Sequence, residues 1–345
     1  MSRRTFLYSM LGSAAATLSP SLTQEAKIKI AFLGGSHSHA KDKVKVVQES
    51  PLYELAGLSE EDLQLREYYQ RSGVTLLSRD QILNEKSIQV VAVESAVKDH
   101  STHALSVLQA GKHVHVEKPP ADDLNAFKAL VAEAEKRQLL LQVGYMWRYN
   151  PGFKAALEAA REGWLGKVYL MRAMINTLIS SERRPEWGQF NGGQMFELGS
   201  HLVDPMVRLM GRPLKVTSTL KHHGPFADSL MDNTVAILEW ESALGVITSA
   251  TLQPGAGPHR SLEILGSNGT AVVRPIEAPA LQIDLAKPAG PYHSNTQQVS
   301  LAAYRRYVDD FVELATAIRS HKALSVSPSQ ELAIQETLLR ASEMV

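Results

Sequence analysis

The sequence contains no cysteine, which removes disulfides, thiol nucleophiles and cysteine-based metal sites from consideration. It also lacks net charge, with 36 basic residues against 36 acidic ones. No basic surface therefore marks it for nucleic acid, and no polybasic run marks it for anionic lipid. Internal repeats are absent, as is low complexity beyond the first residues. The apolar run from Phe6 to Leu18 is too short to cross a bilayer in a mature chain, since a spanning helix needs about 20 residues. What is present is a globular composition, 44% hydrophobic and 21% charged, over 345 residues. That length suits two domains, and the balanced charge points to a small molecule or another protein as partner.

The first residues carry compartment information. In "MSRRTFLYSMLGSAAATLSPS" a twin arginine, Arg3 and Arg4, precedes Phe6, Leu7 and an Ala-rich stretch. This resembles a bacterial Tat export signal over residues 1–26, which predicts a periplasmic or otherwise exported protein, or a cytoplasmic one if the leader does not function.

From Lys27 the pattern alternates. "KIKIAFLGG", "YELAGLSEED", "SIQVVAVES", "KHVHVE" and "LLLQVGY" read as apolar strands. Helical stretches separate them, including one from about Asp122 to Arg137 with Leu124, Phe127, Leu130, Val131 and Ala134 at helical spacing. Alternation of this kind predicts an α/β fold: a doubly wound parallel sheet over residues 27–149, with its ligand at the carboxyl ends of the strands. Asn150 and Pro151 have the form of a cap and first residue of a new helix. Residues 150–345 read as an α+β domain on a large, mainly antiparallel open sheet, with one long internal helix near 193–211. An amphipathic helix is expected from Leu301 through Tyr304, Val308 and Phe311 to Ile318, and a last helix from the Ser-Pro-x-Gln cap at Ser327.

The turn after the first strand tests for a dinucleotide. A G-x-G-x-x-G turn lets backbone approach a pyrophosphate. Here the six residues are Gly34, Gly35, Ser36, His37, Ser38 and His39, so only the first glycine is in register. Backbone N–H groups at the following helix start, with Ser36 and Ser38 as extra donors, still suit phosphate. At the end of the second strand Glu60, with Glu61 and Asp62 and no neighbouring Arg or Lys, suits ribose hydroxyls and favours NAD over NADP. The same acids also suit an ordinary acidic first turn of a helix.

The stretch "VAVESAVKDHSTHALSVLQAGKHVHVEKPPADD" resembles the Gfo/Idh/MocA oxidoreductases, the family of glucose–fructose oxidoreductase and inositol dehydrogenase. His100 and "AGKHV…EKP" match the family pattern, whereas Ser95, Ala96 and Val97 replace its Thr-Pro-Asn-like turn. The likeness continues through "VGYMWRYNP", "GGQMFELGSHLVD" and "LEILGSNGTAVV", spanning residues 27 to 340. It implies an NAD- or NADP-dependent enzyme, possessing a Rossmann domain and a substrate domain, that acts on a secondary hydroxyl or ketone of a sugar or polyol. It also implies a homodimer or homotetramer.

Oxidising a secondary alcohol needs a base and a cation converging on the oxygen as hydride leaves. By resemblance Lys118 points at that oxygen, Glu117 contacts the cofactor ribose, His201 is the general acid/base and Glu197 orients it or binds a hydroxyl, with Asp204 in support. Family members often carry Asp where Glu197 stands. Cofactor contacts are expected from Gly34, Ser36, His37, Ser38, Glu60, Ser95, His100, Glu117, Lys118 and Arg148. Substrate contacts are expected from Lys118, Trp147, Arg148, Tyr149, Arg184, Trp187, Glu197 and His201. Taken by spacing alone, Glu197 and His201 equally describe a solvated i, i+4 pair, and "SSERRPEWGQF" equally describes a solvated loop.

Four close histidine pairs, His37/His39, His100/His103, His113/His115 and His222/His223, raise the question of metal. No third ligand of suitable spacing accompanies any of them, so no metal site is expected. Scarcity of free NAD outside the cytoplasm implies a tightly held cofactor recycled between substrates. Two other readings share these residues: a redox-neutral, NAD-dependent glycosidase of the same superfamily, and a non-catalytic sugar-binding protein on a Rossmann scaffold.

Overall fold

The computed structural model describes residues 26–345, so the leader-like segment lies outside the described residues. The chain first lays down β1 (Ile28–Leu33), α1 (Ala40–Glu49), β2 (Tyr53–Ser59), α2 (Leu63–Arg71), α3 (Arg79–Asn84), β3 (Val90–Val93), α4 (His100–Gln109), β4 (His113–Val116), α5 (Leu124–Arg137) and β5 (Leu141–Val143). The five strands form a parallel sheet in the order β2-β1-β3-β4-β5. Because β3 is buried at all four of its positions, it reads as a continuous apolar run, as a strand covered on both faces must. Strand order reverses direction between β1 and β3, which opens a crevice at their carboxyl ends.

Asn150 then caps α6 (Pro151–Arg161), its side chain accepting from the N–H groups of Gly152 and Phe153. There follow β6 (Val168–Met174), the short α7 (Arg184–Gly188), a wide π-type turn over Met195–Gly199 and α8 (Ser200–Met210). Strands β7 (Lys215–Lys221), β8 (Asn233–Glu239), β9 (Leu244–Ala250), β10 (Ser261–Gly266), β11 (Gly269–Val273), β12 (Leu281–Leu285) and β13 (Asn295–Val299) complete an eight-stranded sheet ordered β13-β12-β11-β10-β6-β9-β8-β7. Only the β6–β9 pairing in it is parallel. Helices α6 and α8 lie against this sheet.

The last two helices are α9 (Val308–Ser320) and α10 (Pro328–Ala341), and both return to the first domain. Tyr53 of β2 donates to the Phe311 carbonyl at 2.8 Å, and Gln335 of α10 donates to the Ala121 carbonyl at 2.5 Å. Contrary to the expected helix from Leu301, residues 301–307 are not helical, and Tyr307 sits in the left-handed region with φ 69°. The segment instead places the Tyr304 hydroxyl 3.0 Å from the Met146 carbonyl. Apolar spacing alone does not distinguish this strap from the helix that follows it.

Candidate active site

The glycine turn is shaped by two close approaches. Gly34 has φ +83°, and a Cβ there would fall 2.5 Å from Ser95 Cα; a Cβ on Gly35 would fall 2.4 Å from the Tyr69 ring. Gly35 N–H donates to Glu60 Oε2 at 2.7 Å, while the N–H groups of Glu61 and Asp62 donate to Oε1. A cavity of about 130 Å³ opens beside this turn, lined by Gly34, Ser36, Ser59, Glu60, Ser95 and His103 among others. It lies at the carboxyl ends of β1, β2 and β3, and its hydroxyls and carboxylate suit the ribose and phosphate portion of a dinucleotide. Ser38 is exposed and does not line it. Arg79 does line it, so the expectation that no basic group neighbours Glu60 is corrected by the fold, which brings in a residue 19 positions further along.

Strand β4 delivers the second group of residues. Its valines, Val114 and Val116, are fully buried, and the chain passes directly into Glu117, Lys118 and Pro119, with a cis peptide between the last two. Lys118 is 1% exposed, and its Nζ donates to Glu197 Oε1 at 2.5 Å and to the Glu197 carbonyl at 3.2 Å. Glu197 belongs to the π-type turn and His201 to α8; π turns recur at functional sites because the extra residue re-aims a side chain. The His201 ring lies 4.8 Å from the Trp147 ring and 6.2 Å from the Tyr145 ring, and its Nδ1 has no hydrogen-bond partner. Burial, reinforced by the Lys118 charge, holds His201 well below the usual imidazole range, so it stands neutral. Burial pushes the Glu197 carboxyl up, but Lys118 and then His37 outweigh it and keep Glu197 ionised. The structure thus joins Lys118, Glu197, His201 and Trp147 at one point between the domains.

Behind them lies a buried network that the sequence does not announce. Lys43 of α1 is fully buried and donates to Glu94 at 2.7 Å, to His115 Nε2 at 2.8 Å and to Glu117. Its signal was its place in the stripe Ala40, Lys43, Val44, Val47, all of it buried on α1. Burial lowers the basicity of Lys43, but the carboxylates of Glu117 and Glu94 more than offset this and leave it firmly charged. Burial raises Glu94 to about 8, opposed by Lys43 and increased by Glu117. Burial also raises Glu117, yet Lys43, His39 and His37 bring it well below the usual range. His115 is held at about 3 by burial and by Lys43, and passes its Nδ1 proton to a bond with Gln142 Oε1.

This network changes several expected roles. Glu117, expected at a cofactor ribose, is committed to Lys43, accepts from its neighbour Lys118 N–H at 2.9 Å and faces His39 Nδ1 at 3.2 Å. His100, expected at the cofactor, has both ring nitrogens against backbone, 2.8 Å from the Pro119 carbonyl and 3.0 Å from the Ser95 carbonyl, and so positions the Lys118 turn. His37 points inward, 3.9 Å from Glu197 Oε1. The expectation that no third ligand accompanies a histidine pair does not hold: folding sets Glu117 beside His37 and His39, a juxtaposition no local spacing reveals.

The proposed grip on substrate is also smaller than expected. Arg148 donates to Asp204 at 2.8 Å and makes a fork of bonds to Glu331, so its guanidinium is spent on structure. Tyr149 hydrogen-bonds Glu313 and lines an outer groove instead. Arg184 is fully buried and bound to Asp228, Asp232 and Thr251, and Trp187 packs with Ile179 and Leu230. A buried guanidinium requires carboxylate partners, and the loop that looked solvated turns Arg184 inward to Asp228 and Asp232 of the segment before β8, while Ser181 to Arg183 stay exposed.

Comparison with known proteins places this geometry. The model described as "Oxidoreductase family, NAD-binding Rossmann fold" of the Gfo/Idh/MocA group matches residues 28–145, and its "GFO/IDH/MocA C-terminal domain" matches residues 153–272. The chain is 25% identical over 253 residues to the myo-inositol 2-dehydrogenase of Thermotoga maritima, covering 70% of this chain and 73% of that protein. It is 26% identical to the scyllo-inositol 2-dehydrogenase (NADP(+)) of Bacillus subtilis over 52% of this chain and half of that protein's length. Among solved structures, the UDP-N-acetylglucosamine 3-dehydrogenase of Acidithiobacillus ferrooxidans superposes with a TM-score of 0.76 at 19% identity, over 93% of this chain and 98% of the other. GenD2 from gentamicin A biosynthesis, in complex with NAD, gives 0.76 at 21% identity over 92% and 94%.

Proposed function

Because the chain belongs to the Gfo/Idh/MocA oxidoreductase family, we propose that it transfers a hydride between a bound nicotinamide dinucleotide and a secondary hydroxyl or ketone of a sugar or polyol. The observation that carries this is the meeting of Lys118, Glu197 and His201 across the domain boundary beside the crevice of the parallel sheet. The two inositol dehydrogenases among its relatives support a polyol or sugar as substrate.

Gly34, Ser36, Glu60 and Ser95 line the cavity that would hold the adenosine and phosphate half of the dinucleotide, and Arg79 beside Glu60 admits NADP as well as NAD. When bound, the cofactor supplies a hydride acceptor or donor. The remaining chemistry belongs to the chain. Lys118, held by Glu197, presents an ammonium to a substrate oxygen and stabilises charge developing there. His201, neutral and with a free Nδ1, takes the hydroxyl proton in oxidation and returns it in reduction. Trp147 and Tyr145 wall the imidazole and exclude water.

The test is to purify the protein without added nucleotide, denature it and identify what is released by mass spectrometry. Recovery of NAD or NADP near one per chain, followed by nucleotide reduction with a polyol or sugar, is the expected result. A chain that releases none and binds none when supplied would sink the redox reading. The reading includes Tat export, checked by fractionation of cells carrying Arg3→Lys with Arg4→Lys, which should retain the protein in the cytoplasm. It also includes a homo-oligomer, supported by Ile237 and Leu244, exposed on adjacent strands β8 and β9, and checked by light scattering.

A further inference from the structure

The imidazoles of the glycine turn have no part in the reaction above, yet they meet a carboxylate in the middle of the molecule. We propose that His37, His39 and Glu117 form a binding site for a divalent transition-metal ion, with Glu197 at its border. One ligand atom from each of the three lies within 4.8 Å of the others. His39 Nδ1 stands 3.2 Å from Glu117 Oε1 without hydrogen-bonding to it, and is buried with no partner. Glu197 Oε2 and His201 Nδ1 are likewise buried and unpartnered, with Glu197 Oε1 3.9 Å from His37 Nε2 and the His201 ring 6.3 Å from that of His39. Buried polar atoms are seldom left unpaired, and here three of them, from the glycine turn and from the π turn with the start of α8, lie in the same region.

The chemistry of the set is selective. Two imidazoles and one carboxylate are the ligands of zinc, iron(II) or manganese rather than of calcium or magnesium. At bond lengths of about 2.0–2.2 Å, ligand atoms around a tetrahedral ion sit about 3.4 Å apart, so the His39–Glu117 spacing already fits and rotation of the His37 ring closes the rest. Outer partners are also in place: Lys43 holds the other Glu117 oxygen. The His37 backbone N–H donates to the Glu94 carbonyl at 3.0 Å and fixes the turn, while the His37 ring Nδ1 accepts from the His39 backbone N–H at 3.3 Å, which leaves Nε2 to face the site. Lys118, the nearest other cation, is already paired with Glu197. The neighbouring set Glu94, His115 and Glu117 is different, because the Lys43 ammonium lies among all three and does a cation's work there.

The test uses the full chain, stripped of metal with a chelator and titrated with Zn²⁺ by calorimetry. One Zn²⁺ per chain is expected, with a rise in melting temperature on loading. The His37→Gln/His39→Gln double variant should bind about 100-fold more weakly and lose that rise. Should the variant not fold, the X-ray absorption spectrum of zinc-loaded wild type decides, with two imidazoles and a carboxylate expected in the first shell. Wild type that binds no Zn²⁺, a variant that binds as tightly as wild type, or a spectrum without two imidazoles would overturn the proposal. Nucleotide release is scored separately: zinc bound without nucleotide sinks only the hydride-transfer reading, and nucleotide bound without zinc sinks only the metal site.

Discussion

At the scale of the residue, burial decides which side chains act and which merely support. His201 makes no hydrogen bond through Nδ1, so removing its ring breaks no bond there. His201→Asn is therefore expected to keep its melting temperature within a few degrees while kcat falls about 10²–10⁴-fold, the usual contribution of a positioned acid/base. Equal loss of stability and activity would make it a packing residue. Lys43 is the opposite case. Lys43→Met leaves the carboxylates of Glu94 and Glu117 in the interior without their cation, and should lower unfolding free energy by about 3–5 kcal/mol, read from urea denaturation. Motif and chemistry in the sequence pointed to Lys118, Glu197 and His201, which the structure brings together. It concealed Lys43, Glu94 and the fate of Arg148 and Arg184, because nothing local to a charged residue says that a carboxylate 48 to 183 positions away will pair with it in the interior.

At the scale of the element, local chemistry was legible where it is self-contained. Ser327 and Gln330 form the reciprocal cap that their spacing predicts, and Asn150 caps α6. Ser327→Ala should cost about 1 kcal/mol and be visible as a lower melting temperature. Its effect should reach the domain junction, since Glu331, which holds Arg148, stands in the first turn of α10. Elements whose form depends on distant partners were not legible. β13, "NTQQV", carries almost no apolar alternation and is a strand because β12 pairs with it. The strap before α9 has the spacing of a helix but is pulled out of one where Tyr304 reaches Met146.

At the scale of the whole molecule, buried titrating groups set the pH response. His37 and His115, both held at about 3 by burial first, bind protons more readily when unfolded, so their contribution to stability grows as pH rises toward 6.5. Glu94 at about 8 and Asp310 at about 7, both raised by burial first, bind protons more readily when folded, so theirs is lost as pH rises from the ordinary carboxylate range through those values. Above pH 6.5 only the second effect remains. Below 6.5 the two effects oppose each other, and His39, His100 and His201, also lowered by burial first, tip the balance toward the rising one. Thermal melts from pH 4 to 9 should therefore peak near 6.5, and a melting temperature still climbing between 7 and 8.5 would refute the assignment. The two-domain plan was visible in the alternation of strands and helices, and the family resemblance assigned Lys118 and Glu197 to one site, whereas their direct ion pair, 79 positions apart, became visible only on folding.

The return of α9 and α10 to the first domain also governs how the protein is made. Tyr53, Ala121 and Arg148 find their partners in Phe311, Gln335 and Glu331, which leave the ribosome 258, 214 and 183 residues later. The amino-terminal sheet, although synthesised before them, cannot complete its packing until α9 and α10 have been made. Nascent chains stalled before Val308 should remain sensitive to protease throughout residues 27–149, and full-length released chains should not.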